Sequence, residues 1–351
     1  MVNGRANRFW CLLLAIYGLG MNSLLRAQPL APVAPPTLDT LSTITDSITT
    51  DSTALRLPCL AIAQQPSKGR IIGASAVSIG AYGGTLLFLN QAWYSQYPRS
   101  SFHFFNDNAG WLQVDKVGHV WTAYIEAYYT AELYRWAGVP KQKSAWIGAG
   151  AGFLFQAGLE TLDGFSEAWG ASLGDMAANT AGALLMAGQM AAWNEQRIWL
   201  KFSAHRPNYG ALPEVVQQRT RNLYGTTLPE SILKDYNGQS YWLSVNPASF
   251  LNKSGKTHFP KWLNIAIGYG ADGMLGAEKN SWELPDGSTY DYSQWQRYRQ
   301  YYLSLDIDMT RLPVRSRFWR MALGMLNCIK IPAPTLEYNS KGEWKFHALY
   351  W

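Results

Sequence analysis

Residues 71–94 contain no charged side chain, a run long enough to cross a bilayer as a helix. Within it, Gly80-x-x-x-Gly84 supplies a small-residue face for close helix packing. The same run also reads as a buried core helix, because Ser75, Ser78, Asn90 and several glycines interrupt it. An aromatic and polar loop follows, with Pro98, His103 and Asn106-Asp107-Asn108. Three more helices are expected, at about residues 114–138, 144–162 and 172–199. Gly138-Val139-Pro140 ends the first of these, with glycine past the last turn and proline after it. Ser144 is placed to cap the next, whose Gly148-x-x-x-Gly152 forms another close-packing face.

The period then changes. Residues 201–225 are basic and irregular, and short aromatic runs with partial alternation follow at 241–245, 263–270, 301–309, 335–338 and 344–350. These read as antiparallel strands. Asn237-Gly238, Pro285-Asp286-Gly287 and Ser340-Lys341-Gly342 are turn signals between them, and residues 317–326 form a short helix. So few strands do not make an outer-membrane barrel of the usual even number. The C-terminal Trp351 suits such a barrel, but Lys345 and His347 stand where its apolar residues belong. The expected fold is α+β and mostly helical: a compact bundle of about four Gly/Ala-rich helices, then a C-terminal antiparallel β-rich region.

The N-terminus reads as a signal peptide over residues 1–27, with Arg5 and Arg8 before an apolar run and a cleavage site after Leu25-Arg26-Ala27. An uncleaved anchor is the alternative. Cys11 opens the apolar run, whereas an acylated lipoprotein cysteine would follow it. Residues 28–69 form a Pro/Ser/Thr-rich spacer expected to be disordered. A membrane-associated helical domain over 70–200 and a basic linker with the β-rich region over 201–351 complete the organisation. Cys59 and Cys328 remain after export, either paired or as two buried thiols, and no Cys-x-x-Cys thiolate zinc site exists.

Charged residues are 15% of the chain, below the roughly 25% of soluble domains. The net charge of +6 would suit nucleic acid, but the export signal argues against that partner and for anionic lipids or envelope proteins. Arg197, Lys201, Arg206, Arg219 and Arg221, with Trp193 and Trp199, suit a lipid interface or an ordinary solvated face. His103, His205, His258 and His347 read as surface histidines. The sequence does not choose between inner and outer membrane.

Three of the helices carry polar stripes. The first reads Asp115, His119, Thr122, Glu126, with Lys116 pointing elsewhere, toward lipid phosphate or a carboxylate. The second reads Gln156, Glu160, Asp163, and the third Ser172, Asp175, Asn179, Gly182. Steps of three and four place each set on one face. Ionisable groups in apolar helices persist when they pair or serve a site. Three chemistries fit. A hydrogen-bonded network would fix helix register, with Lys116, Asp163, Ser172 and Asn179 as members and Gly182 admitting a neighbouring backbone. A catalytic centre would use His119 as base, with Asp115, Glu160 and Asp175 supporting it. No cofactor is evident, but a divalent metal could be held by His119 with Asp115, Glu160, Asp163 or Asp175. No Gly-x-Ser-x-Gly nucleophile elbow is present.

Asp115-Lys116-x-x-His119, followed by Ser172-x-x-Asp175-x-x-x-Asn179-x-x-Gly182, resembles the YfiM-like family, a domain of unknown function described as a predicted periplasmic lipoprotein. The same ends resemble, more distantly, the VanZ-like membrane proteins. The resemblance covers about residues 110–190. It implies an envelope location and a compact helical unit, and it brings no reaction. The chain departs from the lipoprotein description in lacking a lipobox. The expected function is therefore an exported, membrane-associated envelope protein of structural or assembly type. The alternative is a hydrolase or transferase acting on a phosphorylated or acylated lipid or a cell-wall precursor.

Overall fold

The computed structural model describes residues 61–92, 94–251, 259–284 and 286–351. The signal peptide, residues 28–60 of the spacer, Cys59, His258 and Pro285 lie outside the described residues. The fold is α+β and mostly helical. Four long helices come first: α1 (Lys68–Ala92), α2 (Val114–Trp136), α3 (Lys141–Gly164) and α4 (Leu173–Trp193). Helices α2, α3 and α4 pack on one another around Tyr124, Ala127, Ala149, Ala183 and Met186.

Glycine sets that packing. A Cβ on Gly182 would lie 2.1 Å from the Val120 carbonyl oxygen, and one on Gly148 2.1 Å from that of Ala127. The helix backbones therefore touch, as the sequence anticipates for Gly148 and Gly182. Gly80 and Gly84 do not behave this way, since a Cβ on either meets nothing within 4 Å. Helix α1 stands largely apart, held by Ser75 Oγ to Tyr134 OH (2.7 Å) and Tyr82 OH to Thr130 Oγ1 (2.6 Å). It exposes Ile72, Ile79 and Leu87, and among the described residues it is the one helix long and apolar enough to cross a membrane. Residues 61–67 run against the end of α2, where Ala63 N–H donates to Trp136 O and Ser67 N–H to Ala137 O; that part of the expected spacer is ordered.

Several boundaries differ from the sequence expectation. Ser144 is not a cap: α3 begins earlier, at Lys141 after Pro140, and Ser144 is buried inside it with its hydroxyl on Val139 O. Helix α4 stops at Trp193 because Asn194 turns left-handed (φ 57°). Trp199 belongs instead to β1 (Ile198–Ala204). The stretch 201–225 is not irregular, for it holds most of β1 and helix α5 (Glu214–Tyr224). The basic cluster does not form one face. Lys201 is buried against Asp306, Arg219 lies over Trp282, and Arg197 lies over Trp193.

After α6 (Leu228–Lys234) come β2 (Gln239–Val245), the short α7 (Pro247–Leu251) and β3 (Leu263–Asp272). The small pair β4 (Ser281–Glu283) and β5 (Thr289–Asp291) follows. The chain continues through β6 (Tyr298–Ile307), α8 (Arg317–Leu326), β7 (Ala333–Asn339) and β8 (Trp344–Tyr350). The main sheet is antiparallel, in the order β1-β2-β3-β6-β7-β8. Its β1–β3 part packs on the N-terminal half of α2, through Trp121, Val114, Phe202, Tyr241 and Tyr269. Cys328 is half-buried beside β1, with its thiol 3.4 Å from Met325 O.

Candidate functional site

The polar stripes converge where the N-terminal turns of α2 and α4 meet the C-terminal end of α3. Ser172 caps α4, and its Oγ accepts from Asp175 N–H (3.1 Å) and donates to Asp107 Oδ1 (2.5 Å). Its own N–H donates to Glu160 Oε2 (2.9 Å), tying α4 to α3. Lys116 Nζ sits among three carboxylates: Asp107 Oδ2 at 2.7 Å, Asp175 Oδ1 at 2.8 Å and Asp115 Oδ2 at 3.4 Å. Of the two partners the sequence offers Lys116, the structure shows carboxylates. Gly174 admits this arrangement, since a Cβ there would fall 2.0 Å from Asn108 Oδ1.

His119 lies one turn further along α2, its side chain 20% exposed. Its Nδ1 is 3.1 Å from Asn179 Oδ1. With Nδ1–H donating there, Nε2 faces Asp175 Oδ1 at 3.6 Å and Asp115 Oδ1 at 4.0 Å. Glu160 Oε1 lies 4.0 Å from Nδ1. Glu160 Oε1 and Asn179 Nδ2 are buried without a hydrogen-bond partner among the described residues. One donor atom each from Asp115, His119 and Asp175 can be chosen so that all lie within 4.8 Å of one another, a spacing that would let one divalent cation take all three.

The electrostatics follow from burial and sign. Four carboxylates (Asp107, Asp115, Glu160, Asp175) face Lys116 and His119. Burial alone lowers the imidazole pKa, but the carboxylates of Asp115, Asp175 and Glu160 outweigh it and raise His119 above its ordinary value. Burial raises Glu160 to about 7, with the Ser172 N–H and His119 opposing. It raises Asp175 to about 6 against the pull of His119 and Lys116. Asp107 is also raised by burial, yet its bonds to Lys116 and Ser172 bring it below the usual range. The centre therefore holds groups poised near neutrality.

Not every expected member joins. Asp163 lies apart, accepting from Tyr94 OH (2.8 Å), with burial raising it to about 6. Thr122 bonds back to Gly118 O, and Glu126 accepts from Gln156 Nε2 (2.9 Å) in a separate buried pair. Gly182 is a packing contact. Away from the centre, His103 Nε2 is 2.6 Å from Trp169 O and His347 Nε2 is 2.7 Å from Glu337 Oε2, so neither is a free surface histidine.

Two members come from outside the stripes. Asp107 belongs to the loop before α2, and Tyr236, after α6, donates its hydroxyl to Asp115 Oδ1 (2.6 Å). The turn leading into α2 is strained: Trp111, Leu112 and Gln113 are all left-handed, with φ of 50°, 50° and 65°. Trp111 N–H donates to Ala277 O (2.7 Å), Tyr269 OH donates to Leu112 O, and Arg299 Nη2 donates to Gln113 Oε1 (2.5 Å). The C-terminal region thus clamps the turn that aims Asp115 and Lys116.

Residues 103–189, about a quarter of the chain, match the model of a family described as "Predicted periplasmic lipoprotein (DUF2279)". The matched stretch runs from the loop before α2 to near the end of α4 and contains every member of the centre except Tyr236. The description supports an exported, membrane-associated envelope location. Neither the curated proteins nor the solved structures provide a match.

Proposed function

We propose that the protein is a membrane-associated envelope protein of structural or assembly type, in which the centre around Lys116 and His119 locks the molecule's parts together. The carrying observation is that the centre draws on five separate segments: the loop with Asp107, helices α2, α3 and α4, and Tyr236 from the C-terminal region. Most of its polar atoms are satisfied within the chain, as a register-fixing network requires. The long apolar helix α1 supports membrane association. The likeness to YfiM-like proteins, and more remotely to VanZ-like ones, belongs to this reading.

A second reading is favoured by the unpartnered Glu160 Oε1 and the three-donor spacing of Asp115, His119 and Asp175. Here the centre holds a divalent cation. His119 ligates through Nε2 while Asn179 orients the ring through Nδ1, the usual support for a ligating histidine. Such a centre would serve a hydrolase or transferase acting on a phosphorylated or acylated lipid.

Thermal unfolding and metal analysis of the mature protein separate the two. The network reading expects His119→Ala to lower the Tm by several degrees, Asp175→Asn to be tolerated, and no stoichiometric metal to be found. Stoichiometric metal in the wild type, lost in an equally folded His119→Gln protein, would overturn it in favour of the second.

A further inference from the structure

From β3 to β8 the main sheet buries a largely polar face and exposes an apolar one. Alternate side chains of a strand point to opposite faces. On β3, β6 and β7, one face carries Asn264, Gln300, Ser304, Asp306, Thr335 and Glu337, all buried, beside Ala266 and Tyr302 of the cluster around Trp242. The other face carries Ile267, Leu303, Leu336 and Phe346, aligned across four strands by the register and exposed at 57, 52, 39 and 71%. Ile265 and Leu305 flank this row on one side, and Tyr301, Tyr338 and Trp344 form a second aligned row on the other.

The buried polar face is covered by the sheet itself. Lys201 Nζ on β1 reaches Asp306 Oδ2 on β6 at 2.7 Å, with neither side chain exposed. Tyr350 OH on β8 meets Ser240 Oγ on β2 at 3.1 Å. Four strand spacings separate β2 from β8, about 19 Å on a flat sheet, so the sheet is strongly curled and fills its concave side with its own side chains. Gly268 leaves space there for Trp242, whose ring would lie 2.6 Å from a Cβ. Asp306 also accepts from Ser244 Oγ (2.6 Å), and Glu337 from Gln300 Nε2 (3.0 Å).

A sheet facing water puts its apolar side on the core and its polar side out. Polar inside and apolar outside is the arrangement of a sheet that faces lipid. The apolar band is shallow. From Tyr301 to Leu305 it rises about 14 Å, near half of the roughly 30 Å hydrocarbon core. It therefore matches one leaflet and does not span. The row of Tyr301, Tyr338 and Trp344 suits the headgroup level. Beside that rim, Arg299 on β6 and Lys341 in the β7–β8 turn add positive charge that complements anionic headgroups.

We infer that the convex face of the β3-β6-β7-β8 sheet is a lipid-contacting surface seated in one leaflet of an anionic bilayer, with Tyr301, Tyr338 and Trp344 at its rim. This inference rests on the membrane association proposed above and is independent of the centre at His119.

The test uses vesicles of phosphatidylethanolamine and phosphatidylglycerol with the full mature chain. An environment-sensitive fluorophore is placed by Phe346→Cys, and in a second protein by Asn222→Cys at an exposed position of α5, both in a background with the native cysteines changed to serine. The expected result is a blue shift and quenching by lipid-phase nitroxides at position 346, with neither at 222. The pair Ile267→Lys and Leu303→Lys, with native circular dichroism, is expected to reduce this quenching at least tenfold. Vesicle-bound protein whose 346 probe remains unquenched would overturn the inference and leave α1 as the anchor. A 346 probe that becomes buried with protein concentration in the absence of vesicles would also overturn it, in favour of a contact between copies. His119→Gln is expected to leave the quenching unchanged, so failure of the network reading would not be mistaken for failure of this one.

Discussion

At Glu160, burial and an unpartnered oxygen set the pH response of the centre. Its pKa moves from 4.5 unfolded to about 7 folded, so between those values the folded state holds the extra proton. Stability then falls as pH rises from about 4.5 to about 7. Asp175, raised to about 6, acts in the same direction. His119, raised above 6.5, adds stability that is complete below its unfolded value and lost as pH climbs through its folded one. The three signs agree, and the Glu160 shift alone is worth on the order of 3 kcal/mol. Denaturant unfolding at pH 5 and pH 8 is expected to give lower stability at pH 8, with Glu160→Gln flattening the difference. A wild type equally stable at both would contradict this account. The stripe residues of this centre were legible because three- and four-residue steps survive in any helix. Asp107 and Tyr236 were not. Asn106-Asp107-Asn108 reads as an ordinary turn, and the Tyr236 hydroxyl meets Asp115 across 121 residues, a distance no local pattern encodes.

At the scale of the element, glycine position decides helix packing. Gly182 and Gly188 both lie on α4, but a Cβ at 182 would collide with Val120 O at 2.1 Å, while one at 188 meets nothing within 4 Å. Alanine gains up to about 1 kcal/mol over glycine in a helix interior. Gly188→Ala is therefore expected to raise the Tm slightly. Gly182→Ala must push α4 off α2 and is expected to cost several times that gain, with thermal melts of the two proteins as the check. The sequence marks Gly148 and Gly182 as close contacts and marks Gly80 and Gly84 equally, yet only the first two meet a neighbour. Spacing identifies a small-residue face but not whether another helix lies against it. Strand β1 escaped for a related reason. Ile198, Leu200 and Phe202 alternate properly, but Lys201 between them reads as solvated, and its burial depends on Asp306 more than a hundred residues away.

At the scale of the molecule, the helical unit and the sheet region hold each other in shape. Three consecutive left-handed non-glycine residues, Trp111 to Gln113, cost on the order of 1–3 kcal/mol each, and such strain persists only when the surroundings over-determine it. The restraint comes from Ala277, Tyr269 and Arg299 on the turn and from Tyr236 on Asp115, all in the C-terminal region. The helix that carries Lys116 and His119 is thus aimed from outside its own bundle, so the two parts should unfold together. Removing Lys116 as Lys116→Met leaves Asp107, Asp115 and Asp175 uncompensated, a loss of about 3–5 kcal/mol for a buried ion pair broken on one side. If Tyr236 and Arg299 fix the geometry that Lys116 exploits, the effects of Lys116→Met and of Tyr236→Phe with Arg299→Met are not additive. Once the turn relaxes, less remains for the lysine to hold. A double-mutant cycle by denaturant unfolding is expected to give a coupling of at least about 1 kcal/mol, with one calorimetric transition in the wild type. Additive losses, or two separate transitions, would mean that the helices and the sheet stand independently and that the clamp on the turn does not set the centre.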